Sequence, residues 1–111
     1  MRSEPRRVDW LVRARGELVA TGFCQPTYGG VDGPAAEWTA IVLPERRRRG
    51  VGVALWGAAS EHARSLGKRE LRCESRLGDE EALAFLLHRG FVELGREARS
   101  NSTWTRSTRS R

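Results

Sequence analysis

The residues with the most chemical content lie between Val42 and Leu55. There the chain reads Val42-Leu43-Pro44-Glu45-Arg46-Arg47-Arg48-Arg49-Gly50-Val51-Gly52-Val53-Ala54-Leu55. An apolar run stops at a proline, four arginines follow, and two glycines spaced by one residue open a helical pattern. Consecutive backbone N–H groups at a helix start form an anion-binding concavity. Gly50 and Gly52 remove Cβ atoms where a diphosphate must approach the backbone. The arginines add counter-charge and forked donors suited to phosphate. Taken singly, such glycines serve a tight turn and an arginine run is a solvated surface. In this order, at a helix start, they point to a diphosphate site.

Other candidate groups are few. Glu37 and Glu74 are the carboxylates nearest the motif on neighbouring strands, and each also reads as a surface carboxylate. His62 falls on the apolar face of the long helix and reads as packing. His88 sits in the last turn of the second helix, where a cation suits the dipole. Cys24 and Cys73 form no CxxC or CxxH spacing, so no zinc or other metal site is expected, and both read as small buried hydrophobes. Trp10, Trp38 and Trp56 read as core or sheet surface rather than a stacking platform.

The elements that must position the motif follow from periodicity. Val8 to Ala14 alternates as a strand, Arg15-Gly16-Glu17 turns, and Leu18 to Cys24 returns. Gln25 to Ala35 holds Pro26, Gly29, Gly30, Gly33 and Pro34 and reads as loop. Glu37 to Leu43 is a third strand, stopped by Pro44. Gly50 to Leu66 is a helix with Val51, Leu55, Ala58, Ala59, His62, Ala63 and Leu66 on one face, and Gly67 just beyond it. Glu70 to Arg76 is a fourth strand. Asp79 caps a second helix that runs to Gly90 with Glu80 and Glu81 in its first turn. Phe91 to Arg96 is a last strand. Strands first and then alternating strand and helix give an α+β (mixed α/β) class. The expected organisation is one domain over residues 1–99 and a basic tail of Ser, Thr and Arg over 100–111, read as disordered.

Size and charge bound the function. The 111 residues carry a formal net charge of +6, enough chain for one real core. A basic balance permits contact with phosphate in a cofactor or a nucleic acid. A nucleic-acid binder would rest on charge alone, since no helix-turn-helix, RNP or zinc pattern is present. No apolar run nears the roughly 18 residues a membrane span needs, and the Arg-rich start has no apolar region after it. A cytoplasmic protein with no membrane partner is the expectation.

The motif segment resembles motif A of the GNAT acetyltransferases, whose pattern Arg/Gln-x-x-Gly-x-Gly/Ala appears here as Arg47-Arg48-Arg49-Gly50-Val51-Gly52. The stretch Ala84-Phe85-Leu86-Leu87-His88-Arg89-Gly90-Phe91 resembles the later block of that family, and the resemblance covers about Val8 to Arg99. It implies a mostly antiparallel, splayed sheet flanked by two main helices, here without the usual N-terminal strand and helices. It implies acetyl-CoA (coenzyme A) as cosubstrate. Backbone groups of Ala40, Ile41 and Val42 would hold the pantetheine arm, and the loop amides of Arg47, Arg48, Arg49, Gly50, Val51 and Gly52 the pyrophosphate. The implied reaction is direct attack of an amine acceptor on the thioester, with Glu37 placed to act as general base through a water. Three features depart from the family pattern. Leu86 stands where many members have a tyrosine acid, Asp79 where an asparagine is common, and the chain begins late. The alternative is therefore a non-catalytic CoA-binding or dimerisation module. Open sheet edges favour a homodimer.

Overall fold

The computed structural model describes residues 6–26, 33–47, 50–76, 79–97 and 101–108. The element order is β1 (Val8–Ala14), β2 (Glu17–Pro26), β3 (Ala35–Val42), a 3-10 turn (Pro44–Arg46), α1 (Val51–Ser65), β4 (Glu70–Arg76), α2 (Glu80–His88), β5 (Val92–Glu97) and β6 (Asn101–Ser107). The six strands form one sheet in the order β1-β2-β3-β4-β6-β5. Every neighbouring pair is antiparallel except β3 with β4. This is the mostly antiparallel α+β architecture expected from the sequence.

Alternation decides which face of each strand is covered. Cys24 is paired with Trp38, Gly22 with Ala40, and Ala20 with Val42. All of these point to the face that carries α1, where the Cys24 thiol lies 3.6 Å from the Ala59 carbonyl. A bulge between β1 and β2 inserts Val19, since Val12 pairs with Ala20 and Arg13 with Leu18. It turns both Val19 and Ala20 inward, and both are buried. α1 contributes Leu55, Ala59 and Ala63, and α2 contributes Leu86, to one shared core with Trp38, Leu71, Cys73, Phe91 and Trp104. Burying one such leucine or phenylalanine contributes about 1.5–3 kcal/mol.

The helix ends follow the local chemistry. The Asp79 carboxylate accepts the Ala82 N–H at 3.1 Å, closing the start of α2. The end of α1 is closed by Gly67 and Lys68, whose N–H groups reach the Arg64 and Ala63 carbonyls at 2.9 Å. His62 lies on α1 as expected but is not enclosed, and its Nε2 meets the Arg6 carbonyl at 2.9 Å.

One expectation is overturned. The segment 100–111, read as a disordered tail, supplies β6 and pairs with both β4 and β5. Its composition hid a strand. Ser102, Trp104 and Arg106 alternate with Thr103 and Thr105, and threonine and tryptophan favour extended backbone. Trp104 is buried in the core and its Nε1 donates to Ser75 Oγ at 3.0 Å. The strand end is pinned as well, because Thr108 N–H donates to the Arg69 carbonyl at 2.9 Å and Arg64 Nη1 to the Thr108 carbonyl at 2.6 Å. Residues 109–111 lie outside the described residues.

Candidate active site

β3 and β4 pair over only three residues each, Ala35 to Glu37 against Glu70 to Arg72. Beyond Glu37 the two strands diverge. Trp38 to Val42 keep their bonds to β2 but have no strand on the other edge. The gap is a cleft of about 1130 Å³ that passes between the strands. Trp38, Thr39, Ala40, Ile41 and Val42 line one wall with Arg47, Gly50, Gly52 and Val53. Cys73, Glu74 and Ser75 line the other, together with Asp79, Glu81, Phe85, Leu86, His88 and Arg89.

The start of α1 forms the end wall. Gly50 holds φ at 86°, a left-handed conformation that side chains resist, and a Cβ there would meet nothing within 4 Å. The first intrahelical bond is Ala54 N–H to the Gly50 carbonyl at 3.0 Å. The amides of Val51, Gly52 and Val53 therefore have no acceptor within the helix, and no side chain caps them. They are a set of aligned donors at the positive end of the dipole.

The expected cofactor-holding residues separate by role. Ala40, Ile41, Val42, Arg47, Gly50 and Gly52 all line the cleft. The Val51 side chain turns away, into a second hollow with Trp10, Val12 and Leu55, so only its backbone faces an anion. Arg47 differs from its expected use. Its amide is already bonded to the Pro44 carbonyl at 3.3 Å. Its guanidinium donates to the Val42 carbonyl at 3.0 Å and pairs with Glu81 at 2.8 Å, strapping the end of β3 to the first turn of α2. Arg48 and Arg49 lie outside the described residues. Gly52 has a packing reason besides the one read from sequence. A Cβ there would come within 3.4 Å of the Phe85 ring.

The acid–base candidates also separate. Glu37 occupies the last paired rung, opposite Arg72 and Gln25, and is not part of the cleft wall. Glu74 is exposed and lines the cleft. A carboxylate reaches the gap only from a strand residue past the divergence, and Glu37 stops one residue short of it. The length of the β3–β4 pairing, invisible in the sequence, puts Glu74 in the lining and leaves Glu37 outside it. Leu86 is buried in the core at the position where the resemblance looks for tyrosine. Cys73 lines the cleft, but burial pushes its thiol up to about 12, and burial does the same to Cys24. Neither is a nucleophile near neutral pH. Arg89 stacks over Phe85 at 5.1 Å from the ring centroid, with its Nε buried and without an acceptor among the described residues. Sequence reasoning missed Arg89. Its signal was a lone arginine one residue before Gly90, at the end of α2.

The family model for the acetyltransferase (GNAT) family matches residues 1–91. The chain belongs to the GNAT acetyltransferase family. Solved structures repeat its fold. The GNAT domain of S. lividans PAT matches with a TM-score of 0.80 at 20% identity, over 92% of this chain and 61% of that one. Nourseothricin acetyltransferase matches with a TM-score of 0.82 at 21% identity, over 95% of this chain and 67% of that one. An aminoglycoside 6'-N-acetyltransferase complexed with coenzyme A matches with a TM-score of 0.72 at 16% identity, over 96% of this chain and 76% of that one. This GNAT chain thus spans about three-fifths of the first relative and two-thirds of the second. No curated protein matches it. Among the described residues no group of three or more His, Cys, Asp or Glu is placed to hold a metal ion, and no helix is long and apolar enough to cross a membrane.

The cleft fits the cosubstrate of this family. Free amides, an unobstructed Gly50 and an unpaired strand edge lie along one continuous gap, and Arg89 keeps a buried donor there without an acceptor.

Proposed function

We propose that this GNAT chain transfers an acetyl group from acetyl-CoA to an amine acceptor by direct attack. The observation that carries the reading is the junction of the β3–β4 divergence with the amide-rich start of α1. The amides of Val51, Gly52 and Val53 would hold the diphosphate, and the free edge of Ala40 to Val42 would bond the pantetheine arm. When bound, acetyl-CoA supplies an activated thioester. Glu74 stands at the cleft wall, where it could take the proton of an incoming amine directly or through a water, and Glu37 could act only from the closed end. Phe85 and Leu86 give the inner side an apolar lining. A cytoplasmic site of action, where acetyl-CoA is made and consumed, and a homodimer belong to the same proposal.

A second reading has one specific observation in its favour. Leu86 offers no proton to a departing thiolate and serves the core instead, which suits a CoA-binding module without turnover. Thermal unfolding at fixed ionic strength, with and without acetyl-CoA, tests the site. Ligand at ~100 times its dissociation constant adds about 2.7 kcal/mol, an upward shift of several degrees for a domain of this size. Release of free CoA that depends on added amine separates the enzyme from the module. Stabilisation without release leaves the module, and the absence of both removes the cofactor site.

A further inference from the structure

Six side chains along the cleft can carry charge near neutral pH: Arg47, Glu74, Asp79, Glu81, His88 and Arg89. Most are accounted for. Arg47 and Glu81 pair at 2.8 Å. Asp79 caps α2 through the Ala82 N–H. Glu74 alternates with the core residue Cys73 and so stands on the other face of the sheet. His88 is exposed. Arg89 is different. It is half-buried, and among the described residues its guanidinium has neither an ion-pair partner nor a hydrogen-bond acceptor. A charge taken partly out of water without a counter-ion costs stability, so the place is suited to an anion that binds there.

Helix chemistry does not explain the arrangement. Arg89 ends α2, where a cation suits the dipole. A side chain serving that end would bond the last carbonyls. The Arg89 side chain instead runs back one turn, and its guanidinium lies 5.1 Å over the Phe85 ring. Trp56 of α1 flanks it at 5.9 Å. Arg106 of β6 sits on the same indole at 5.2 Å, and its Nε donates to the Arg89 carbonyl at 2.6 Å. Two rings and a strapped backbone fix the guanidinium, and a second positive charge stands beside it. The Phe85 ring is also what a Cβ on Gly52 would meet at 3.4 Å. The amide end of α1 and the Arg89 guanidinium thus border one phenyl ring, with Trp56 about 6 Å along α1 from Gly52.

We infer that Arg89 binds the phosphate monoester on the ribose of coenzyme A. The inference rests on the acetyl-CoA reading of the cleft. Coenzyme A carries two anionic groups, the diphosphate and that monoester, joined through the ribose. With the diphosphate on the amides of Val51, Gly52 and Val53, the monoester is the anion left for the lining arginine without a partner. The ribose is the spacer between the two anions, as the phenyl ring is between the two sites. A phosphate monoester brings about one and a half to two negative charges near neutral pH. Its oxygens match the forked donors of a guanidinium. Arg89 is then the residue that tells coenzyme A from the same molecule lacking the ribose phosphate.

Titration calorimetry of the full chain with coenzyme A and with dephospho-CoA, at one ionic strength, tests this. The wild-type chain should prefer coenzyme A by about thirtyfold, the scale of one forked charge-assisted contact. Arg89→Met keeps an apolar stem on Phe85 and should bind both ligands alike, with dephospho-CoA within about twofold of wild type. Arg89→Lys should keep part of the preference. Thermal unfolding of each free variant checks its fold, and the wild-type comparison needs no variant. Equal affinities in the wild type, or a preference that outlasts Arg89→Met, overturn the inference. So does an equal loss of both ligands in folded Arg89→Met, which would make Arg89 a support of the cleft. Inorganic phosphate that binds the wild type and leaves its coenzyme A affinity unchanged would assign Arg89 to a separate phosphate, and overturns it as well. If neither ligand binds the wild type, the acetyl-CoA reading itself fails, and this inference with it.

Discussion

The two walls of the cleft carry different kinds of chemistry. The β3–α1 wall works through its backbone: an unpaired strand edge, a left-handed glycine and three free amides. The β4–α2 wall adds the side chains Glu74, Asp79, Leu86 and Arg89. Backbone chemistry depends on fold and on a few glycines, so it survives wide sequence change. Side-chain chemistry is lost by one substitution. This chain keeps the glycines and the free amides of the first wall and departs from the family on the second, at Leu86 and Asp79. Cofactor binding is therefore the firmer part of the proposed function, and the rate of transfer is the part most open to measurement.

The sharpest break in that contrast is Gly52→Asp. It sets a carboxylate among amides that would hold a diphosphate, and it crowds the Phe85 ring. Acetyl-CoA affinity should fall at least a thousandfold, equivalent to about 4 kcal/mol, as read by titration calorimetry. Gly52→Ala adds only the ring contact and should fall far less. Equal, small losses in both variants would mean that the α1 amides do not hold the anion.

The opposite wall is probed by Leu86→Ala. Leu86 is 4% exposed and belongs to the core shared by both helices. Removing it should cost about 3 kcal/mol of stability, within the 2–5 kcal/mol usual for a buried leucine. Denaturant unfolding reads this directly. A loss below ~1 kcal/mol would show that α2 packs loosely, and that Leu86 is there for some reason other than the core.

The same contrast explains what was legible beforehand. β1 and β4 were readable to the residue, because alternation and turn residues are local signals. The anion-binding end of α1 was readable because its chemistry is written in consecutive residues. Three things were not. β6 hid in a polar tail, since a strand on a half-solvated sheet needs only one apolar anchor, here Trp104, and threonines mimic a flexible segment. Which of Glu37 and Glu74 lines the cleft depends on where β3 and β4 part, which is a tertiary fact. Arg47 looked like a phosphate ligand by composition, but its guanidinium is held by the Val42 carbonyl and Glu81, neither of which sequence spacing could place beside it.

The smallest expected effect concerns the two thiols, one under each wall. Burial raises the Cys24 and Cys73 thiols from their ordinary value near 9.0 to about 12. In the unfolded chain both ionise near their ordinary value, so between roughly pH 9 and 12 the unfolded state holds fewer protons than the native one. A folded-state pKa raised in this way contributes stability that is complete below pH 9 and fades as pH climbs towards 12. The thermal midpoint should be insensitive to the thiols from pH 7 to 8.5 and should decline modestly above pH 9. Replacing Cys24 and Cys73 together with alanine should flatten that part of the profile, at some cost in packing. Near pH 8 a thiol reagent should modify neither cysteine until denaturant is added. Rapid labelling of Cys73 alone in the native protein would show that the β4 side of the cleft admits water and reagent. That wall would then be too open to shelter a thioester, and the module reading would gain over the enzyme.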